Sequence, residues 1–341
     1  MKVFAALDPR LPLTQVPGTA RRVEELGYDG LHIPETIHDS FAVALLAAEH
    51  TTRITLRTAI TLAFVRSPTL VAYNAWDLAT FSRGRFELGL GTQIKQNIED
   101  RFGMPWTEPV TRMGDYVAAL RELFAAFATG GPVHHEGENY RLTRLQPYFN
   151  PGPGDTAAPP VFLGAVNAGM CRLAGQFADG VITHSTNSDP GYLAEVVCPA
   201  LREGADRGSR TPPGIVVAAP IATGGDETAV RRERERMRRL LAFLYSTPSY
   251  RPALTRLGLP DLFDRLRTLV RAERWDRLSA VLTDDVLDIL LLCADYDTLP
   301  ELVRERYDGL AEGIVLPVPP TGPADARLRL AIESLRGQGP Q

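Results

Sequence analysis

Glu35-Thr36-Ile37-His38-Asp39 sets two carboxylates and an imidazole within five residues, just ahead of an apolar run that starts at Phe41. Carboxylates and imidazoles exchange protons, so this is the strongest acid–base candidate in the chain. Each side chain also has a structural reading: Glu35 as a helix cap or surface carboxylate, His38 as a partner of Asp39 at the start of the Phe41 helix. Only Lys2 and Lys95 are lysines among the 37 basic residues, which leaves Lys95 as the one interior amine, beside Gln93 and Asn97. His134-His135-Glu136 has metal-ligand residue types, but neighbours on a strand point to opposite faces and converge poorly on one ion. Cys171, Cys198 and Cys293 lie too far apart in sequence to form a ligand pair.

The elements that must position these groups alternate. β-like runs at 3–7, 30–34, 54–64, 85–91, 161–165, 181–184, 215–222 and 313–317 are separated by stretches with helical spacing, such as Met113, Tyr116, Leu120, Leu123 and Phe127. Eight β-then-α units imply a parallel sheet and fit closure into an α/β (β/α)8 TIM barrel, with an open doubly wound sheet as the alternative. Gly89-Leu90-Gly91 lacks the third glycine of a dinucleotide fingerprint and leads into a polar loop, which argues against that alternative. Regularity fails twice. Residues 130–159 are rich in Pro and Gly and read as a hairpin and loop insertion, and 224–311 read as a mainly helical insertion before the last strand. Both are expected to belong to one barrel domain spanning 1–341.

A barrel works at the C-terminal ends of its strands. That rule selects Asp8, Glu35, His38, Thr61, Phe64, Gln93, Lys95, Val166, Asn167, His184 and Thr223. The set is polar but poor in titratable groups, as expected where an organic cofactor carries the chemistry and the protein orients it. A net charge of −4 gives no footprint for nucleic acid, and no apolar run reaches the roughly 18 residues of a membrane span. The N-terminus meets Asp8 and prolines too early for a signal peptide, so a cytoplasmic enzyme acting on a small molecule is expected.

Arg66-Ser67-Pro68 through Ala79-Thr80, followed by Ser82-Arg83-Gly84-Arg85-Phe86-Glu87-Leu88-Gly89-Leu90-Gly91, resembles the luciferase-like monooxygenase superfamily. So does Val161-Phe162-Leu163-Gly164-Ala165 with Ala178-Asp179-Gly180-Val181. Glu35–Asp39, Gln93-Ile94-Lys95, Arg101–Trp106, Asn150–Pro153 and Tyr245–Pro252 look like its actinobacterial branch of coenzyme F420-dependent oxidoreductases.

The resemblance implies a deazaflavin, F420, or alternatively FMN, lying across the strand mouths. It implies a non-proline cis peptide near Ala59-Ile60, with Thr61 alongside, and a phosphate held by Gly164, Ala165, Val166 and Asn167. Gln93, Lys95 and Asn97 would meet ring edge or anionic groups, and His184 the ribityl or phosphate region. Asp8, Phe64, Tyr245 and Tyr250 would line the substrate mouth. Glu35 or His38 would handle a proton during hydride transfer to or from a C=C, C=N or C=O group. The family's glucose-6-phosphate dehydrogenases carry Asp-His where this chain has Glu35-Thr36, and a lysine where it has Asn187, so a sugar phosphate is not the expected substrate. A homodimer is expected from the family. FMN-dependent oxygenation would add a flavin-reductase partner, and a barrel that binds ligand without catalysis is the remaining alternative.

Overall fold

The computed structural model describes residues 1–320 and 322–337. Eight strands, β1 (Lys2–Ala6), β2 (Gly30–Ile33), β3 (Thr55–Thr58), β4 (Phe86–Gly91), β5 (Val161–Gly164), β6 (Gly180–Ile182), β7 (Gly214–Val217) and β8 (Gly313–Pro317), follow the order β3-β2-β1-β8-β7-β6-β5-β4. A further β3–β4 pairing closes the ring, giving a parallel eight-stranded barrel. Each strand run expected from the sequence contributes one strand. Two runs are divided. The third breaks after Thr58 at a cis Ala59–Ile60 peptide bond and resumes as Thr61–Leu62, which pairs with β4. The seventh ends its barrel strand at Val217; past Pro220, which has no N–H to give a ladder, Ile221–Gly224 pairs in parallel with Leu292–Asp295.

The chain forms two compact units: Phe4–Ile182 with Ala200–Gly214, and Met1–Val3, Thr183–Pro199 and the described residues from Ile215 onward. In the larger unit the outward strand residues Leu31, Leu56, Leu88, Leu163 and Val181 are fully buried. They face the helices α1 (Val16–Glu25), α2 (Ser40–Glu49), α3 (Pro68–Phe81), α4 (Pro109–Thr129) and α5 (Ala168–Phe177). Local chemistry sets where these begin. Ser67 accepts the Leu70 N–H at 3.2 Å with Pro68 in the first turn of α3, and Asp39 accepts the Phe41 and Ala42 N–H groups at 2.8 and 3.3 Å to start α2. Gly84, at φ 81°, turns the chain from α3 into β4 in a conformation that other residues adopt only with strain.

The expected hairpin is present as His135–Glu136 against Arg141–Leu142. It is tied to α4 by Asp115, which accepts from His135 Nε2 at 2.6 Å and from the Tyr140 N–H at 3.0 Å. Among the described residues no group of three or more His, Cys, Asp or Glu is placed to hold a metal ion, and no helix is long and apolar enough to cross a membrane.

The smaller unit carries α6 (Glu227–Leu244), α7 (Pro260–Arg271), α8 (Asp284–Leu290), α9 (Leu299–Tyr307) and α10 (Asp325–Leu335). Leu241, Leu254, Leu266, Leu282 and Leu287 form its core. The segment 224–311 is mainly helical, and its one internal strand, Leu292–Asp295, pairs with Ile221–Gly224.

Candidate active site

The interior of the larger unit is built in two layers. In the lower one, Arg57, 3% exposed, lies between the rings of Phe4 and Phe162, 4.4 and 3.8 Å from their centroids. Its Nε donates to Glu87 at 2.6 Å and its Nη1 donates to His32 Nε2 at 3.1 Å. The rings fit because the facing strand residues are glycines. A Cβ on Gly30 would stand 2.8 Å from the Phe4 ring, and one on Gly180 would stand 1.9 Å from Phe162. Burial, reinforced by the Arg57 charge, holds His32 well below the usual imidazole range, so it is neutral and accepts the guanidinium hydrogen bond.

Two residues further along each strand, about 6.6 Å toward the C-terminal edge, the inward positions shrink. Phe4 is followed by Ala6, Arg57 by Ala59, Glu87 by Gly89 and Phe162 by Gly164. Ala6 is exposed, while Ala59, Ile60 and Gly164 are half-buried. The Ile60 side chain lies across this layer: a Cβ on Gly91 would meet Ile60 Cδ1 at 2.1 Å, and one on Gly164 would meet Ile60 Cγ2 at 3.1 Å. Small residues and one aliphatic side chain thus form a low shelf above a closed, charged floor. A flat apolar group fits such a shelf; added side chains would fill it.

At the ends of β2 and the resumed third strand, Glu35 joins a network of charges. Glu35 Oε2 accepts the Leu62 N–H at 2.7 Å and Arg66 Nη1 at 3.0 Å, while Arg66 Nη2 bridges Glu35 Oε1 and Asp39 Oδ2. The Glu35 side chain is 8% exposed and that of Arg66 18%. Tyr116 donates its hydroxyl to the Arg66 carbonyl at 3.2 Å. Burial raises the Asp39 pKa, but the Arg66 hydrogen bond and charge and the two helix N–H groups outweigh it, so Asp39 sits below the usual carboxylate range. Asp39 therefore serves Arg66 and α2 rather than His38, which is half-exposed and makes no hydrogen bond among the described residues. The neighbouring loops are also linked: Arg101 donates to the Thr36 carbonyl, and Thr36 Oγ1 donates to the Pro9 carbonyl at 3.1 Å.

Other expected site residues fall variously around this centre. Gln93 has φ 62° and accepts the Ile94 N–H through its own Oε1 at 3.0 Å. Lys95 is exposed, 3.8 Å from Glu99, and Asn97 is half-buried at the start of the turn Asn97–Arg101. In the Gly164–Asn167 loop the Ala165 N–H is given to the Ile182 carbonyl at 3.2 Å. Val166 is half-buried and Asn167 exposed. Asn167 caps α5 without a side-chain hydrogen bond.

Three expectations need correction. The Thr61 hydroxyl is buried against Ser40 Oγ at 2.8 Å, so that side chain faces α2 and not a cofactor. Phe64 is fully buried, with Trp106 edge-on at 5.8 Å and Arg112 over its ring at 4.3 Å, so it is covered rather than lining a mouth. Tyr245, 2% exposed, belongs to the helical core of the smaller unit. Asp8 is exposed and accepts the Arg10 N–H at 2.9 Å.

Within the smaller unit His184 stacks on Tyr250 at 4.8 Å with an 11° interplanar angle, and its Nδ1 pairs with Thr186 Oγ1 at 2.9 Å. Asn187 accepts the His184 N–H at 2.7 Å and so shapes that turn from inside. Burial lowers the His184 pKa to about 4, which keeps the ring neutral. The Thr223 hydroxyl is buried without a partner among the described residues.

Sequence reasoning missed Arg66 as the partner of Glu35 and the whole His32–Arg57–Glu87 layer. A signal was present: each of the three strands carries one ionisable residue inside an otherwise apolar run, at the parity that faces inward.

A closed parallel barrel with an interrupted third strand, a shelf of small residues and a helix following β5 is thus the architecture of this chain. The family model for luciferase-like monooxygenases matches residues 2–313, and the chain belongs to that family. It is 38% identical over 316 residues, 92% of each chain, to an uncharacterized protein of Mycobacterium tuberculosis. It is 24% identical over 304 residues to the 5,10-methylenetetrahydromethanopterin reductase of Methanolobus tindarius, covering 88% of this chain and 89% of that protein. The solved coenzyme F420-dependent tetrahydromethanopterin reductase of Methanopyrus kandleri superposes with a TM-score of 0.79 at 21% identity, covering 98% of each chain.

Proposed function

We propose that this protein is an F420-dependent oxidoreductase moving a hydride between the deazaflavin and a small organic substrate at a C=C, C=N or C=O/alcohol group. The observation that carries this reading is the shelf of Ala6, Ala59, Ile60, Gly89, Gly91 and Gly164 above the sealed Arg57 layer, which suits a planar ring stacked on one face. Similarity to F420-dependent reductases supports the deazaflavin over FMN. When bound, the deazaflavin supplies a ring carbon that donates or accepts a hydride and reacts poorly with oxygen.

The remaining work falls to the chain's own residues. Ile60 and the glycines opposite it fix the plane on which the ring rests, which raises the effective concentration of the reacting pair. Asn167 and the first turn of α5 would hold a phosphate at the helix N-terminus. Glu35 and Arg66 hold the Leu62 backbone, and hence the resumed third strand, in place; Glu35 thereby acts as a positioning residue. His38 holds or releases a proton at an imidazole nitrogen, the free acid–base group of this loop. Gln93, Lys95 and Asn97, which follow β4 in sequence, would meet the ring edge or anionic groups. The protein is proposed to act as a cytoplasmic homodimer.

The shelf also suits the ring of FMN, and the family's name makes an FMN monooxygenase fed by a flavin reductase the second reading. Purification from a host that makes FMN but not F420 separates the two. Colourless protein whose Tm rises with F420 and not FMN supports the proposal; at 100 times Kd the ligand adds about 2.7 kcal/mol. Yellow protein with bound flavin supports the second reading, and no shift with either cofactor overturns both.

A further inference from the structure

We infer that the outer wall of the larger unit carries a second binding site, for a small amphipathic carboxylate. Helices α3 and α4 and the segment 133–149 line an open-sided cavity of about 220 Å³. Its apolar lining comes from Leu123 on α4, from Val133 and Leu142 on the hairpin side, and from Tyr73 and the exposed Phe149.

These walls are fixed in the protein as it stands. Tyr73 stacks on Phe127 at 5.2 Å and donates its hydroxyl to the Phe149 carbonyl at 2.6 Å. Asn150 donates to the Ala126 and Gly131 carbonyls at 3.0 and 2.9 Å, which pins the far end of the segment to the C-terminus of α4. Asp115 anchors the hairpin on the other side.

The same cavity is lined by Thr69 and by the solvent-exposed residues Arg144 and Gln146. None of these side chains makes a hydrogen bond or ion pair to another described residue. Arginine is charged at every accessible pH and presents a planar fork that matches a carboxylate. An open-sided apolar cavity with a solvent-exposed guanidinium at its edge selects an anion with an apolar body. Size narrows the class. An apolar cavity of about 150 Å³ holds benzene, and drug-sized ligands need about 300 Å³ or more, so this one suits a single ring or short chain bearing one carboxylate.

Benzoate is the probe, titrated into the full-length protein by calorimetry, with benzamide as its neutral counterpart. Saturable benzoate binding is expected, with benzamide at least about tenfold weaker. Arg144→Met should weaken benzoate about tenfold and leave benzamide unchanged, while Leu142→Trp, which fills the cavity, should abolish both. Binding should be unaffected in His38→Ala, which separates this site from the barrel mouth. Equal affinity of wild type and Arg144→Met, loss of binding in His38→Ala, or no saturation at about 10 mM benzoate in protein of unchanged Tm would overturn the inference.

Discussion

Glu35→Gln tests whether the carboxylate at the end of β2 is a structural anchor or the proton donor itself. In the wild type it accepts three hydrogen bonds, one from a backbone N–H and two from Arg66, with its side chain 8% exposed. The amide keeps one acceptor oxygen and turns an NH2 toward a donor. Breaking a buried ion pair costs about 3–5 kcal/mol, but Arg66 keeps Asp39 and is partly exposed, so about 2–3 kcal/mol is the expected loss. For a chain of this size that corresponds to a fall in Tm of roughly 3–4 °C, read by calorimetry at fixed scan rate. Arg66→Met should show a comparable fall, and the double variant should fall by clearly less than the sum, because both single changes remove one interaction. F420 affinity should weaken along with kcat. A Glu35→Gln protein with unaltered Tm and F420 affinity but abolished turnover would refute the anchoring argument and return Glu35 to proton transfer.

The barrel floor makes its own forecast: Arg57→Met, stranding Glu87 beside two phenylalanines, should cost about 3–5 kcal/mol by denaturant unfolding, and Arg57→Met/Glu87→Leu should recover much of it. Survival of the single variant at wild-type stability would mean the layer is hydrated. Gly89→Ala should lower Tm sharply, since its Cβ would stand 1.9 Å from the Thr58 carbonyl oxygen, and an unchanged Tm would contradict that packing. The neutral His184 predicts a pH dependence. Its pKa is about 4 in the folded chain against about 6.5 unfolded, so its contribution is present above about 6.5, is lost as pH falls from there to about 4, and changes no further below. The loss is about 2–4 kcal/mol, and His184→Gln should remove that part of the acid slope; an identical slope in the variant would assign it to other groups.

Most of the barrel is legible in the sequence because its strands are short apolar, β-branched runs punctuated by glycine and proline, and each helix announces itself by spacing or by a cap such as Ser67-Pro68. What the sequence does not display is pairing across distance. Arg57 meets His32 and Glu87 from positions 25 and 30 residues away, and Glu35 meets Arg66 from 31. No local pattern ranks those partners over others. The pairing of Ile221–Gly224 with Leu292–Asp295 is hidden for the same reason, lying across some seventy residues of mainly helical chain. Thr61, Phe64 and Tyr245 were misjudged for a different cause. Alternation predicts direction only inside a regular strand, and Thr61 and Phe64 follow a break in β3 while Tyr245 ends a helix whose apolar face turns into its own core.

The central claim is that the shelf of small residues seats a deazaflavin ring, and fluorescence titration of F420 into wild type and Gly164→Val tests it most directly. The valine must displace Ile60, whose Cγ2 would lie 3.1 Å from its Cβ, and crowd the open face of the shelf. Saturable binding to wild type, weakened about tenfold or more in a folded Gly164→Val protein, is the expected result. Equal affinities, or no F420 binding by the wild type, would contradict it.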